Sequence, residues 1–181
     1  MHYGTIKKCD IANGEGVRVS LFVSGCRNYC KNCFNKETWD FNYGKEFNQS
    51  TIDEIIKALS PNHINGLTIL GGEPFEEENQ KDLLPFIKKV RETYPNKTIW
   101  MYSGYLYDSE LLKGKKNTPY TLEILKNIDI LVDGRFVEEL YSLNIKFRGS
   151  SNQRIIDVQK SLKENKVVLS PLNEERQFKP L

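Results

Sequence analysis

Apolar residues in this chain recur in two rhythms. Short continuous runs, each ended by glycine or a small polar residue, alternate with longer stretches whose apolar positions fall three and four apart. The run VRVSLFV at residues 17–23 reads as a strand ending in Ser24-Gly25. Residues 51–59 read as a helix, with Ile52, Ile55, Ile56 and Leu59 on one face, Ser50 as its cap with Asp53 completing the pair, and Pro61 beyond its end. LTIL at 67–70 is a second strand, stopped by Gly71-Gly72. Residues 76–94 follow as a long helix with Leu83, Leu84, Ile87 and Val90 as its buried stripe, and Pro85 inside it predicts a kink or a boundary. TIWMY at 98–102 is a third strand, 121–126 a short helix, IDILV at 128–132 a fourth strand and 154–158 a fifth.

Strands and helices alternating at this spacing predict βαβ units, an α/β fold and a parallel sheet. Four of the strands end in comparable turns: Ser24-Gly25, Gly71-Gly72, Ser103-Gly104 and Asp133-Gly134. Parallel sheets bind ligands beyond the carboxyl ends of their strands, so these turns predict one shared ligand rim.

At 181 residues the chain is long enough for one domain with its own core. Lys plus Arg number 26 against 24 Asp plus Glu, a net charge of +2. That near balance argues against nonspecific binding to nucleic acid or a membrane surface as the main business, since both need a concentrated positive field. The first residues lack the apolar stretch of a signal peptide, and no run approaches the length of a membrane span. A cytoplasmic location is therefore expected, where thiols stay reduced.

Cys26, Cys30 and Cys33 form C-x3-C-x2-C directly after the first predicted strand, in a polar loop. Intervals this short wrap three thiolates around one inorganic centre. Cys9 lies 17 residues upstream of Cys26 and reads as structural, and His63 as a surface residue. Three thiolates are incomplete for a closed structural zinc site but suit a four-iron cluster with one iron left open. Spacing alone favours iron–sulfur only modestly, and a zinc-stabilised binding module using all four cysteines is the alternative from a different class.

The Gly71-Gly72-Glu73-Pro74 element after the next strand joins the cysteine loop in resembling the radical S-adenosylmethionine enzymes. Within them the chain is similar to the family that activates anaerobic ribonucleoside-triphosphate reductase. The resembling stretches run from Asp10-Ile11 and Asn13-Gly14-Glu15-Gly16 through SLFVSGC and the loop ending Phe34 to Trp39. They continue with LGGEP, IWMYSGY, ILVDGRF and Arg148 to Gln153. The resemblance implies an incomplete parallel β/α barrel over residues 1–160, and leaves 161–181 as an extension of unassigned role, its tail from Asn173 peripheral.

It implies further that Cys26, Cys30 and Cys33 hold a 4Fe-4S cluster whose open iron binds S-adenosylmethionine. Reduction by a flavodoxin-like donor yields methionine and a 5′-deoxyadenosyl radical. That radical takes a hydrogen atom from a glycine of the large reductase subunit. Asn32, Cys33 and Phe34 are expected at the adenine end and Gly72 and Glu73 at the methionyl end, with Glu73 supplying negative charge. Ser103, Asp133 and Arg135 are expected to reach ribose or carboxylate. Asn13 to Gly16 and Arg148 to Gln153 are expected at the opening that receives the glycine loop. No general acid, base or protein nucleophile is nominated, because the cofactors carry the chemistry. An activase for another glycyl-radical enzyme, such as pyruvate formate-lyase, is the alternative with the same chemistry.

Overall fold

The computed structural model describes residues 1–174. The apolar run at 17–23 forms strand β2 (Val17–Val23), buried at every position but the first, Arg18 and Ser20 included. A strand covered on both faces belongs in the middle of a sheet. Here β4 (Ile64–Gly71), β5 (Thr98–Ser103) and β6 (Ile130–Asp133) continue from it in parallel, with Leu21 opposite Ile69, Ile69 opposite Met101 and Met101 opposite Leu131.

Three strands outside this parallel set complete a seven-stranded sheet of order β3-β1-β2-β4-β5-β6-β7. Strand β1 (His2–Asp10) pairs antiparallel with β2 and with the two-residue β3 (Lys45–Glu46). Strand β7 (Arg154–Asp157) pairs antiparallel with β6, which corrects the expectation of an all-parallel sheet. The chain between β6 and β7 carries only one short turn of 3-10 helix and no α-helix. A parallel return needs a long crossover, usually helical, whereas a looping excursion brings the strand back antiparallel. The sheet is open, with β3 and β7 at its edges.

One face is covered by helices. Val19, Leu21, Leu67, Ile69, Ile99 and Met101 pack there against Ile55 and Leu59 of α1 (Gln49–Leu59) and Leu83, Phe86, Ile87 and Val90 of α2 (Glu77–Thr93). Ile124 and Leu125 of α3 (Thr121–Asn127) complete this core. The alternate residues face the other way, where Trp100, Val132 and Ile155 form a smaller cluster with Tyr102, Phe147 and Leu172. That second face is roofed by loops, and the space beneath them is the site described below.

Two helix expectations change. The cap of α1 is Asn48, whose side chain accepts from Thr51 N at 3.2 Å, and Ser50 lies inside the first turn. Both residue types cap well, and the earlier one takes the role. Pro85 makes no boundary: α2 runs through it, with Pro85 on the solvent side, where water can satisfy the carbonyl left without a donor.

Helix α4 (Val158–Glu164), capped by Asp157, crosses residue 160, and the following segment lies along β7. There Asn173 brackets Ile155, accepting from its N–H at 3.0 Å and donating to its carbonyl at 2.6 Å. The expected peripheral tail falls outside the described residues beyond Glu174. Among the described residues no helix is long and apolar enough to cross a membrane.

Candidate functional site

The parallel order puts the carboxyl ends of β2, β4, β5 and β6 side by side, and a cavity of about 470 Å³ opens there. Its floor is apolar, made of Phe22, Leu70 and Tyr102. Gly71, Gly72, Ser103, Gly104 and Gly134 form the strand-end rim. Cys26, Cys30 and Cys33 all line it, with Phe34, Asn35 and Trp39 from the same loop. Phe136, Phe147, Arg148, Gly149 and Gln153 make the wall from the β6–β7 excursion, and Asn13 closes one end.

Backbone contacts hold the cysteine loop against the sheet. Gly25 N donates to Thr38 O at 2.8 Å, and Gly25 O accepts from Glu73 N at 2.8 Å. Gly25 has φ +95°, and a Cβ there would sit 2.3 Å from the Phe41 ring. Tyr29 and Asn32 also take left-handed conformations, which makes the loop tight enough to return its thiols to one side. Arg27 donates to Glu76 at 2.8 Å and Glu78 at 2.6 Å, tying the loop to the start of α2.

Two buried carboxylates lie under this loop. Glu73 accepts four hydrogen bonds: from Phe75 N (2.9 Å), Ser103 Oγ (2.8 Å), Asn28 Nδ2 (2.9 Å) and Gly104 N (2.7 Å). Burial pushes its carboxyl up to about 7 against the pull of those donors. Burial also acts to raise Glu76. Hydrogen bonds from Tyr105, Arg27 and Lys116 outweigh it and hold this carboxyl below the usual range.

The Cys26 thiol is pushed up to about 12, first by burial and then by the nearby Glu73, and burial raises Cys30 as well. Iron or any other thiophilic centre must therefore displace protons to bind here. Among the described residues no three Cys, His, Asp or Glu side chains converge on a single-ion position. Cys26, Cys30 and Cys33 nevertheless line one cavity, as ligands of a shared polynuclear cluster must. Cys9 is exposed on β1 and takes no part in the cavity wall. Two buried polar atoms of residues that line the cavity, Asn28 Oδ1 and Trp39 Nε1, have no partner, as expected of a surface built for a polar ligand.

Of the remaining expected site residues, Phe34, Gly72 and Ser103 line the cavity. Phe34 is 69% exposed and packs on Phe136 and Tyr141 with ring centres 5.1 and 6.2 Å away. Four others do not reach the wall. Glu73 is fully buried beneath it with its acceptor capacity taken, so it offers no charge directly to a ligand. Asn32 is exposed and donates to Glu138. Asp133 is buried, accepting from Arg154 Nε at 2.9 Å and Tyr107 N at 2.7 Å. Arg135 pairs with Glu110 at 2.8 Å over the Tyr105 ring. Each is engaged by partners that its place in the sequence does not reveal. Asn13, Arg148, Gly149 and Gln153 do face the cavity. Asn28 and Tyr102 were missed, and only the position of Asn28 between two cysteines could have flagged it.

The family model described as 4Fe-4S single cluster domain matches residues 12–156. A protein of Enterobacteria phage T4 is 36% identical over 155 residues, covering 86% of this chain and 93% of its own. One from Haemophilus influenzae is 38% identical over 157 residues (86% and 97%), and one from Escherichia coli K12 is 38% identical over 155 residues (84% and 96%). All three are named anaerobic ribonucleoside-triphosphate reductase-activating protein. With its cysteine loop, strand-end cavity and near full-length similarity, the chain belongs to this reductase-activating family of 4Fe-4S single-cluster proteins.

Proposed function

We propose that the chain generates the glycyl radical of an anaerobic ribonucleoside-triphosphate reductase. On this reading Cys26, Cys30 and Cys33 hold a 4Fe-4S cluster, and S-adenosylmethionine occupies the rest of the cavity. The domain is a partial β/α barrel of the radical S-adenosylmethionine type, working in the cytoplasm. The observation that carries the reading is that all three thiols open into one cavity with the Gly71-Gly72 and Ser103-Gly104 strand ends. The names of the relatives supply the partner, and a flavodoxin-like protein is the proposed electron donor.

When bound, the two cofactors together supply a carbon radical able to take a hydrogen atom from a glycine. The chain's own residues position and shield. Phe22, Leu70, Tyr102, Phe136 and Phe147 give apolar walls that keep water from a reactive species. Arg27, Glu76 and Lys116 brace the cysteine loop from below, the two cations at 2.8 and 3.1 Å from the Glu76 carboxylate. Tyr105 donates to the same carboxylate at 2.7 Å. Proton transfer is not required of any side chain.

The test is anaerobic purification followed by iron and sulfide analysis, 5′-deoxyadenosine measurement and electron paramagnetic resonance with the reductase. Four irons per chain and a glycyl radical on the reductase are expected, both lost when Cys26, Cys30 or Cys33 is changed to Ala. Cys9→Ala should retain them. A colourless zinc protein, or a cluster that survives all three changes, overturns the reading.

A further inference from the structure

Glu73 lies beneath the cavity with every acceptor position taken. A carboxylate offers about four lone-pair sites, and Phe75 N, Ser103 Oγ, Asn28 Nδ2 and Gly104 N occupy them. It has nothing left to give a ligand. The neighbouring Asn28 is in the opposite position: its Nδ2 is bound to Glu73, while its Oδ1, on a residue of the cavity wall, is buried without a partner.

While Glu73 is ionised, that amide cannot turn over. Reversed, it would press Oδ1 against a carboxylate oxygen, two acceptors facing each other in a buried site. Gly104 leaves the space the amide fills, since a Cβ there would lie 2.4 Å from Asn28 Nδ2. The backbone N–H of Asn28 points to Cys26 Sγ at 3.4 Å, so the residue that carries the free carbonyl is fixed to the first thiol of the cluster loop through its main chain. Donation to an anion on one side polarises the amide and strengthens its oxygen as an acceptor on the other.

We propose that Asn28 Oδ1 accepts a hydrogen bond from an N–H of the ligand's primary amino group, and that Glu73 is a positioning residue that holds the Asn28 amide in the receiving orientation. The inference rests on the reading above, in which the ligand is S-adenosylmethionine and the amino group is that of its methionyl end. Glu73 then acts one residue removed from the ligand, which accounts for a carboxylate buried where it cannot touch the cavity.

The experiment uses the full chain with its cluster reconstituted and measures equilibrium binding of S-adenosylmethionine and of an analogue lacking the α-amino group. Iron and sulfide are quantified in the same samples. Asn28→Leu is expected to keep its cluster and bind S-adenosylmethionine about tenfold or more weakly. The amine-free analogue should bind wild type and Asn28→Leu alike. Glu73→Gln, which lets the amide turn, should lose the same preference for the amine. Asn28→Ala serves as the second variant if the leucine overfills the loop.

Equal binding of S-adenosylmethionine by wild type and a cluster-loaded Asn28 variant overturns the inference. So does an equal loss for the amine-free analogue, or failure of both Asn28 variants to load a cluster, which would make the residue part of the loop's fold. Failure of the cluster-loaded wild type to bind S-adenosylmethionine overturns the underlying reading instead.

Discussion

The glycine at position 72 shows how one missing side chain serves a different end from the one its motif suggests. As a strand-end glycine it reads as room for a ligand to approach. In the structure a Cβ on Gly72 would lie 2.7 Å from Gly25 O and 3.0 Å from Thr38 O. Those oxygens belong to the backbone that carries and anchors the cysteine loop, and backbone cannot yield as a flexible side chain does. Gly72→Val should therefore displace the loop itself. Iron and sulfide analysis of the purified variant should find cluster content well below wild type. Full cluster content with ligand binding lost would restore the simpler role.

Between elements the cysteine loop is held by one buried carboxylate at the start of α2. Glu76 accepts from Arg27, Lys116 and Tyr105, which outweigh the cost of its burial and keep its carboxyl below the usual range. A carboxyl lowered in the folded state stabilises above its unfolded pKa, and that contribution is lost as pH falls through the lowered folded value. Glu76→Gln should cost about 2 kcal/mol near pH 7, or about 4–8 °C of melting temperature at this chain length. The gap to wild type should narrow as pH falls below the ordinary carboxyl range. A gap independent of pH would mean that shape rather than charge is at work. Little of this anchoring is visible in the sequence. The helices, the parallel strands and the strand-end rim follow from periodicity and turn residues. Strand β1 was not legible because its Lys7 and Lys8 break any apolar rhythm, as befits a strand near the sheet's edge. Nor does VRVSLFV disclose that Arg18 is fully buried, giving hydrogen bonds to Thr68 Oγ1 and to the carbonyls of Glu15, Leu67 and Thr98. Asp133 and Arg135 were misplaced for the related reason that Arg154 and Glu110, far along the chain, claim them.

Across the whole molecule, the cavity opens beneath the β6–β7 excursion, and its mouth is more apolar than solvent exposure favours. Phe34 is 69% exposed on the cysteine loop, and Tyr141, 50% exposed, lies beside it on the excursion. If the reductase closes the cavity on the proposed reading, these two exposed rings are the contacts expected to be covered, since buried aromatics dominate the energy of such interfaces. Arg148, expected from the sequence at the opening that receives the glycine loop, is a poor probe of docking. Its guanidinium donates to Gln153 O at 3.2 Å and Asn173 O at 2.9 Å, so it holds the wall together. Its removal should lower all activities alike. Tyr141 stands outside the cavity wall, and Tyr141→Asp puts a charge on the apolar rim without touching the thiols or the floor. We expect this variant to lose on the order of tenfold in glycyl radical formed on the reductase. Its 5′-deoxyadenosine production in the absence of the reductase should stay at the wild-type level. The decisive quantity is the ratio of glycyl radical, by electron paramagnetic resonance, to 5′-deoxyadenosine, by chromatography. A ratio unchanged in Tyr141→Asp would place the partner elsewhere on the surface.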